Sequence, residues 1–226
     1  LWGKSPLWLR IPILCMQFST WEPLYQVILD DFGFSLARDE DAANLLADLM
    51  RERELVLNVA QERVAGRTVV VFGNAPSLDK ELDKLQERDA AFIAADGAAA
   101  VLLMHGIVPD IVVTDLDGPF PAILKANQMG SIVVVHAHGD NLDALKKYVP
   151  QLERIMGTAQ CRPPPGLHNF GGFTDGDRCV FLAQELGAAK IKLVGFDYED
   201  ESVTPRKKKK LAWAKRLIEP ALAGQK

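Results

Sequence analysis

Four aspartates, Asp96, Asp110, Asp115 and Asp117, stand near the ends of two apolar runs in AADGAAAVLLMHGIVPDIVVTDLDG, from Ala94 to Gly118. Carboxylates gathered at strand ends supply the hard oxygen donors that a divalent cation such as Mg²⁺ takes, so they form a candidate cation site. Ile111-Val112-Val113 is a β-branched run of the kind found in buried parallel strands. Asp115 and Asp117 follow it two residues apart, so extended backbone would point both to one side, roughly 6 to 7 Å from each other. At an effective dielectric of about 20, two like charges about 6 Å apart repel by roughly 3 kcal/mol. Solvent at a loop would offset that repulsion, and so would a cation; an acidic turn capping the next helix is the plainer reading.

Further polar motifs accompany the aspartates. Gly73-Asn74-Ala75-Pro76-Ser77 follows a Val-rich strand and opens a helix that Ser77 is placed to cap; free amides there suit an anion, although a tight turn explains the pattern equally. Gly171-Gly172-Phe173-Thr174-Asp175-Gly176-Asp177-Arg178 is a second glycine-rich loop before a helix, either flexible or shaped for close backbone approach to a ligand. Arg178 is the nearest guanidinium for a phosphate. His136 and His138 end another strand and are open to structural, metal-ligating or substrate-contacting roles. Asp140 begins the following helix, where it is either an N-cap or a further member of the acidic cluster. Lys207 to Lys210 form a run of lysines before the amphipathic stretch 211–218. That run reads as a solvated helix start or as a mobile cationic loop that closes over a polyphosphate.

The elements that must position these residues alternate. Strands are expected at 68–72, 91–95, 110–113, 131–136, 154–158 and 190–194, with helices at 77–86, 98–105, 122–127, 141–148 and 176–186. This is the pattern of a doubly wound, mostly parallel α/β sheet, in which ligands bind beyond the carboxyl ends of the strands. Most of the polar motifs fall at that edge. Upstream lies a helical region with one helix opening at Thr20-Trp21-Glu22-Pro23 and a second expected from Asp39 to Val59. The domain division is 1–65, a peripheral segment and helical region, and 66–226, the α/β catalytic domain.

Composition sets limits on partners. The chain has 226 residues, 48% of them hydrophobic and 25% charged, enough for an ordinary globular core. A net charge of −4 argues against sequence-independent nucleic-acid binding. Cys15, Cys161 and Cys179 have neither zinc nor disulfide spacing, which suits a reducing, cytoplasmic compartment. The apolar N-terminus is interrupted by Pro6 and Pro12 and is too short for a membrane span. Residues 1–15 are expected to be peripheral or packed in a homo-oligomer contact, and Met16, ahead of the first helix, suggests an alternative start to the chain.

The motifs FGNAPSL, AADGAAAVLL, PDIVVTDLDG, HAHGDN, NFGGFTDGDR and LVGFDYED, preceded by WEPLYQVILDDFGFSLARDEDAA, resemble the archaeal 6-hydroxymethyl-7,8-dihydropterin pyrophosphokinases over most of the chain. The DG, PD and TDxDG order is also similar to the catalytic domain of thiamine pyrophosphokinase. Ala98 stands where that enzyme has a second glycine, Gly118 replaces its serine, and its thiamine-binding β-sandwich has no counterpart after residue 200. The resemblance therefore implies a pterin acceptor. It implies ATP as co-substrate, Mg²⁺ held by Asp115, Asp117 and Asp140, and attack of the substrate hydroxymethyl oxygen on the β-phosphorus with AMP leaving. Asp96 would position a cation or accept the hydroxyl proton. Gly73, Asn74, Ser77, Gly171, Gly172, Thr174, Asp175 and Arg178 would surround the nucleotide, and Phe170, Phe173 or Phe196 would stack on the pterin ring. A thiamine-type or other ATP-dependent diphosphotransferase and a noncatalytic nucleotide-binding module remain as alternatives.

Overall fold

The computed structural model describes residues 17–54, 56–87 and 89–223; the expectations for residues 1–15 and Met16 lie outside them. The elements run α1 (Phe18–Phe32), α2 (Leu36–Met50), α3 (Leu57–Val64), β1 (Thr68–Phe72), α4 (Leu78–Leu82), β2 (Ala91–Ala95), α5 (Ala98–Met104) and β3 (Ile111–Thr114). They continue as α6 (Phe120–Gln128), β4 (Ile132–Ala137), α7 (Leu142–Tyr148), β5 (Ile155–Ala159), α8 (Asp175–Glu185), β6 (Lys190–Val194) and α9 (Pro205–Leu222).

The strands form a six-stranded sheet in the order β5-β4-β3-β2-β1-β6, and every pairing is parallel. Its central strands are apolar without alternation: Val69 to Phe72 and Ile111 to Val113 are buried, as strands covered on both faces must be. From β1 to β5 the chain steps outward in one direction, so right-handed crossovers put the intervening helices on one face. α8 then returns across β3, β2 and β1 on the opposite face and delivers β6 beside β1. Buried almost all round from Asp177 to Ala183, α8 lies between the sheet and α9. This is the doubly wound α/β architecture that the strand pattern implies. Among the described residues, no helix is long and apolar enough to cross a membrane.

The helical region joins the same hydrophobic core through Trp21, Ile28, Ala42 and Leu46, and α2 packs on β4, β5 and α7. The helix expected from Asp39 to Val59 is two helices, broken between Met50 and Leu57. Arg53 accounts for the break: its guanidinium reaches away to the carbonyls of Leu152 and Val149, and α3 is redirected to bury Ala60 and Val64. Nor does Ser77 cap α4. It adopts helical dihedrals and makes no side-chain cap bond, and α4 ends at Leu82. The lysine run is helical, within the first turns of α9, where the Thr204 hydroxyl accepts the Lys207 N–H at 3.2 Å.

Candidate active site

Three of the aspartates converge at the carboxyl edge of the sheet. Oxygens of Asp96, after β2, and of Asp115 and Asp117, after β3, all lie within 4.8 Å of one another. Parallel pairing of β2 with β3 brings the two loops together, and the Asp96 N–H closes the join on Val113 O at 2.8 Å. Thr114 links them by side chain: its hydroxyl donates to Asp96 Oδ1 at 2.6 Å and accepts the Leu116 N–H at 2.8 Å. Both loops hold a non-glycine residue in the left-handed region, Asp96 at φ 38° and Leu116 at φ 68°, a conformation concentrated where surrounding structure over-determines it. Gly118 admits the Asp96 carboxylate, since a Cβ there would stand 1.9 Å from Asp96 Oδ2. Asp110 does not join this group. It precedes the four-residue strand β3 and so lies at the opposite, amino edge, where its Oδ2 accepts the Phe92 N–H at 2.8 Å.

The electrostatics of the trio are those of crowded like charges. Burial raises Asp96, opposed by the Thr114 hydrogen bond and reinforced by the charge of Asp115. Burial and then the Asp115 charge push Asp117 up to about 6. Burial also opposes ionisation of Asp115, yet the hydrogen bonds it accepts from His138 and Asp117 outweigh it and hold this carboxyl below the usual range. His138 Nε2 lies 3.2 Å from Asp115 Oδ2, and Asn141 braces the same corner by donating to Asp115 O and His136 O at 2.8 and 2.7 Å. His136 is buried against Thr158 Oγ1 at 3.0 Å, and burial holds it well below its ordinary value and uncharged.

Asp140 sits apart from the trio. It borders the same pocket, but its carboxylate is 3.4 Å from Arg38 Nη2. Asp175, in the first turn of α8, faces the pocket too. Burial, then the charges of Asp115 and Asp96, raise it well above the usual carboxylate range.

The pocket over the trio encloses about 640 Å³. Gly73, Asn74 and Thr174 border it, whereas Ser77, Gly171 and Gly172 do not. The amides of Gly73 and Ala75 donate to Val194 O and Gly195 O at the end of β6, both at 2.9 Å. Arg178 is buried, and its guanidinium is engaged by Gly172 O, Phe173 O and Gln160 Oε1. Of the aromatic candidates, Phe173 and Phe196 border the pocket, while Phe170 stacks on His168 with ring centroids 5.3 Å apart. Facing the aspartates, Arg206, Lys207 and Lys210 of α9 line the wall, and the charges of Lys207 and Lys210 favour ionised Asp96 and Asp117 respectively. Lys209 points elsewhere, to Asp31 Oδ1 at 2.7 Å.

The helical region contributes residues that sequence patterns do not single out. Phe32, Phe34, Arg38 and Asp39 all border the pocket, as does Gln160. Phe32 and Phe34 stack with centroids 5.3 Å apart, and Phe32 tilts against Phe173 at 4.9 Å. An acidic residue in the first turn of a helix reads as dipole compensation. The signal that separates Asp39 from that reading is its burial, which a helical pattern alone does not show.

The architecture is thus a parallel α/β sheet with converging carboxylates at its carboxyl edge, faced by a cationic helix across a polar pocket. The chain belongs to the MptE-like 6-hydroxymethylpterin diphosphokinase family, whose model matches residues 43–202, and that family is one of diphosphotransferases. The chain is 45% identical to a 6-hydroxymethyl-7,8-dihydropterin pyrophosphokinase of Methanothermobacter thermautotrophicus, covering 90% of this chain and 94% of the relative. Proteins of the same description from Pyrococcus furiosus and Methanocaldococcus jannaschii are 41% and 39% identical, over 90% of this chain and 94% and 95% of theirs.

Proposed function

We propose that this protein transfers diphosphate from ATP to the hydroxymethyl oxygen of 6-hydroxymethyl-7,8-dihydropterin, releasing AMP, with Mg²⁺ held by Asp96, Asp115 and Asp117. The observation that carries the proposal is the convergence of these three carboxylates within 4.8 Å, in a chain of this family. The donor set fits the ion: all three are hard oxygen ligands, and Asp117, raised to about 6 by its neighbours, is the group that a cation would return to the ionised state. These three residues would hold the Mg²⁺, which would supply charge neutralisation for the leaving α-phosphate.

The chain's own residues supply the rest. Lys207 and Lys210 stand across the pocket to compensate phosphate charge that the cation leaves over. His138 and Asn141 fix Asp115, and Thr114 fixes Asp96. The new bond joins the hydroxymethyl oxygen to the β-phosphorus; the bond from that phosphorus to the α,β-bridging oxygen breaks, and its electron pair leaves with AMP. The hydroxyl proton is assigned to Asp96. Phe173 or Phe196 supplies a face for the flat pterin. Such an activity would serve pterin cofactor biosynthesis, of the folate or methanopterin type, in the cytoplasm.

The test is a product assay with ATP, Mg²⁺ and a panel of acceptors that includes 6-hydroxymethyl-7,8-dihydropterin and thiamine. AMP should appear in one-to-one ratio with a pterin diphosphate. ADP as the nucleotide product, or consumption of thiamine and not of pterin, would overturn the proposal.

A further inference from the structure

Asp39 is only 3% exposed, and its two oxygens hold two different loops. Oδ1 accepts the Gly139 N–H at 2.7 Å. Oδ2 accepts the Tyr25 hydroxyl at 2.6 Å and Gln160 Nε2 at 2.7 Å. Gln160 passes the link onward, because its Oε1 accepts from Arg178 Nη2 at 3.3 Å. Arg178 in turn donates to Gly172 O at 3.1 Å and to Phe173 O at 2.8 Å. On the other branch, Gly139 directly follows His138, whose Nε2 is 3.2 Å from Asp115. The approach of α2 to this loop is close: a Cβ at Gly139 would stand 2.5 Å from Arg38 Cβ.

Attachment of α2 does not call for a charge. Ala42, Ala43 and Leu46 already bury its apolar face, and a buried carboxylate is costly unless its hydrogen bonds are well made. What the carboxylate adds is direction, since one rigid anion fixes one amide of the 138–140 loop and one amide group at the end of β5. The first carries His138, which meets Asp115; the second leads through Arg178 to the carbonyls of Gly172 and Phe173.

We infer that Asp39 is a positioning residue of the transfer site, which orders the His138 loop through Gly139 and the 172–174 loop through Gln160 and Arg178. The inference rests on the proposed catalytic role of the acidic trio. It makes the helical region a working part of the site.

Asp39→Asn places an NH₂ group where a carboxylate oxygen accepted, so at least one of the two branches loses its acceptor. The expected result is a kcat lower by about 10- to 100-fold, the scale of a misplaced catalytic group, with the KM for ATP changed less than about twofold. Adding Gln160→Glu should restore part of kcat, because a carboxylate at 160 accepts from both the new amide and Arg178. Tyr25→Phe removes a hydroxyl that meets Asp39 only from the α1 side, and should lower Tm while leaving kcat alone. Gln160→Met cuts the relay without touching Asp39 and should reproduce the fall in kcat, which keeps the test decisive should Asp39→Asn fail to fold. Amide hydrogen exchange gives a readout independent of turnover: residues 172–174 should exchange faster in Asp39→Asn and Gln160→Met than in the native chain. A native kcat and unchanged exchange in these variants, or a kcat that falls with Tm equally in Tyr25→Phe, would overturn the inference. Full turnover in Asp115→Asn would instead sink the role of the trio and leave the exchange result to stand by itself.

Discussion

The acidic loops and the basic helix face each other across one pocket but are held in unlike ways. Asp96, Asp115 and Asp117 sit on short loops pinned by backbone bonds across β2 and β3, and by Thr114, His138 and Asn141. Two residues there occupy the left-handed region, each at a cost of about 1 to 3 kcal/mol. Lys207 and Lys210 ride on α9, a long helix seated by Trp213, Leu217 and Ile218 and tied at its start by Lys209 to Asp31. Lys210 Nζ lies over the Phe173 ring, 5.8 Å from its centroid. The contrast teaches that the acidic side of the pocket is fixed by its loops, whereas the basic side is carried on a helix; in the proposed function the first would hold the cation and the second would meet the phosphates.

The comparison is broken most severely on the acidic side. Asp115→Asn or Asp117→Asn should reduce Mg²⁺-dependent turnover by roughly 10³-fold or more, with circular dichroism and thermal melting showing an intact fold. Retention of turnover in both variants would remove the pre-organised cluster from the account.

On the basic side the effect should be smaller and should depend on which lysine is changed. Lys207→Gln with Lys210→Gln is expected to raise the KM for ATP or lower kcat by about tenfold, while Lys209→Gln leaves steady-state kinetics alone. Its exposed ion pair with Asp31 contributes roughly 0.2 to 1 kcal/mol, so only a slight drop in Tm is expected. Equal kinetic effects from the pocket pair and from Lys209 would mean that α9 contributes general charge and not a placed one.

The smallest expected effect is on stability without metal. Asp117 holds its proton up to about pH 6 in the folded protein and to about 3.9 when unfolded. The folded state therefore has this group's full stability below about pH 4 and loses it as pH rises through 6. Metal-free Asp117→Asn should consequently melt a few degrees above the native protein at pH 8, with screening limiting the gain for so exposed a group, and at the same temperature near pH 4. An Asp117→Asn variant that melts lower than the native protein at pH 8 would contradict the crowding of charges in the trio.

How far the sequence discloses this site depends on the range of each interaction. The strands are legible to within a residue or two because uninterrupted Val, Ile and Ala runs have no other role in so short a span. The Asp115-x-Asp117 pair is legible from the strand before it, and the four-residue length of β3 is enough to send Asp110 to the far edge. The break after Met50 has no glycine or proline to announce it, since its cause is a set of carbonyls near Leu152 that Arg53 meets only in the fold. Asp39 and Gln160 are 121 positions apart, so no local pattern pairs them. Asp96 and Asp140 look alike in sequence, each following a strand, and only the neighbour relations of β2, β3 and β4 with Arg38 decide which one meets Asp115.

That last distinction leads to the most direct test of the account. Mn²⁺ can replace Mg²⁺ at oxygen sites, and its unbound fraction is read by electron paramagnetic resonance. Titrating the native protein, Asp115→Asn, Asp96→Asn and Asp140→Asn with Mn²⁺ should show a site that weakens at least tenfold in the first two variants and is kept in Asp140→Asn. Native-strength binding in Asp115→Asn and Asp96→Asn, or its loss in Asp140→Asn, would contradict the claim that Asp96, Asp115 and Asp117 form the cation site.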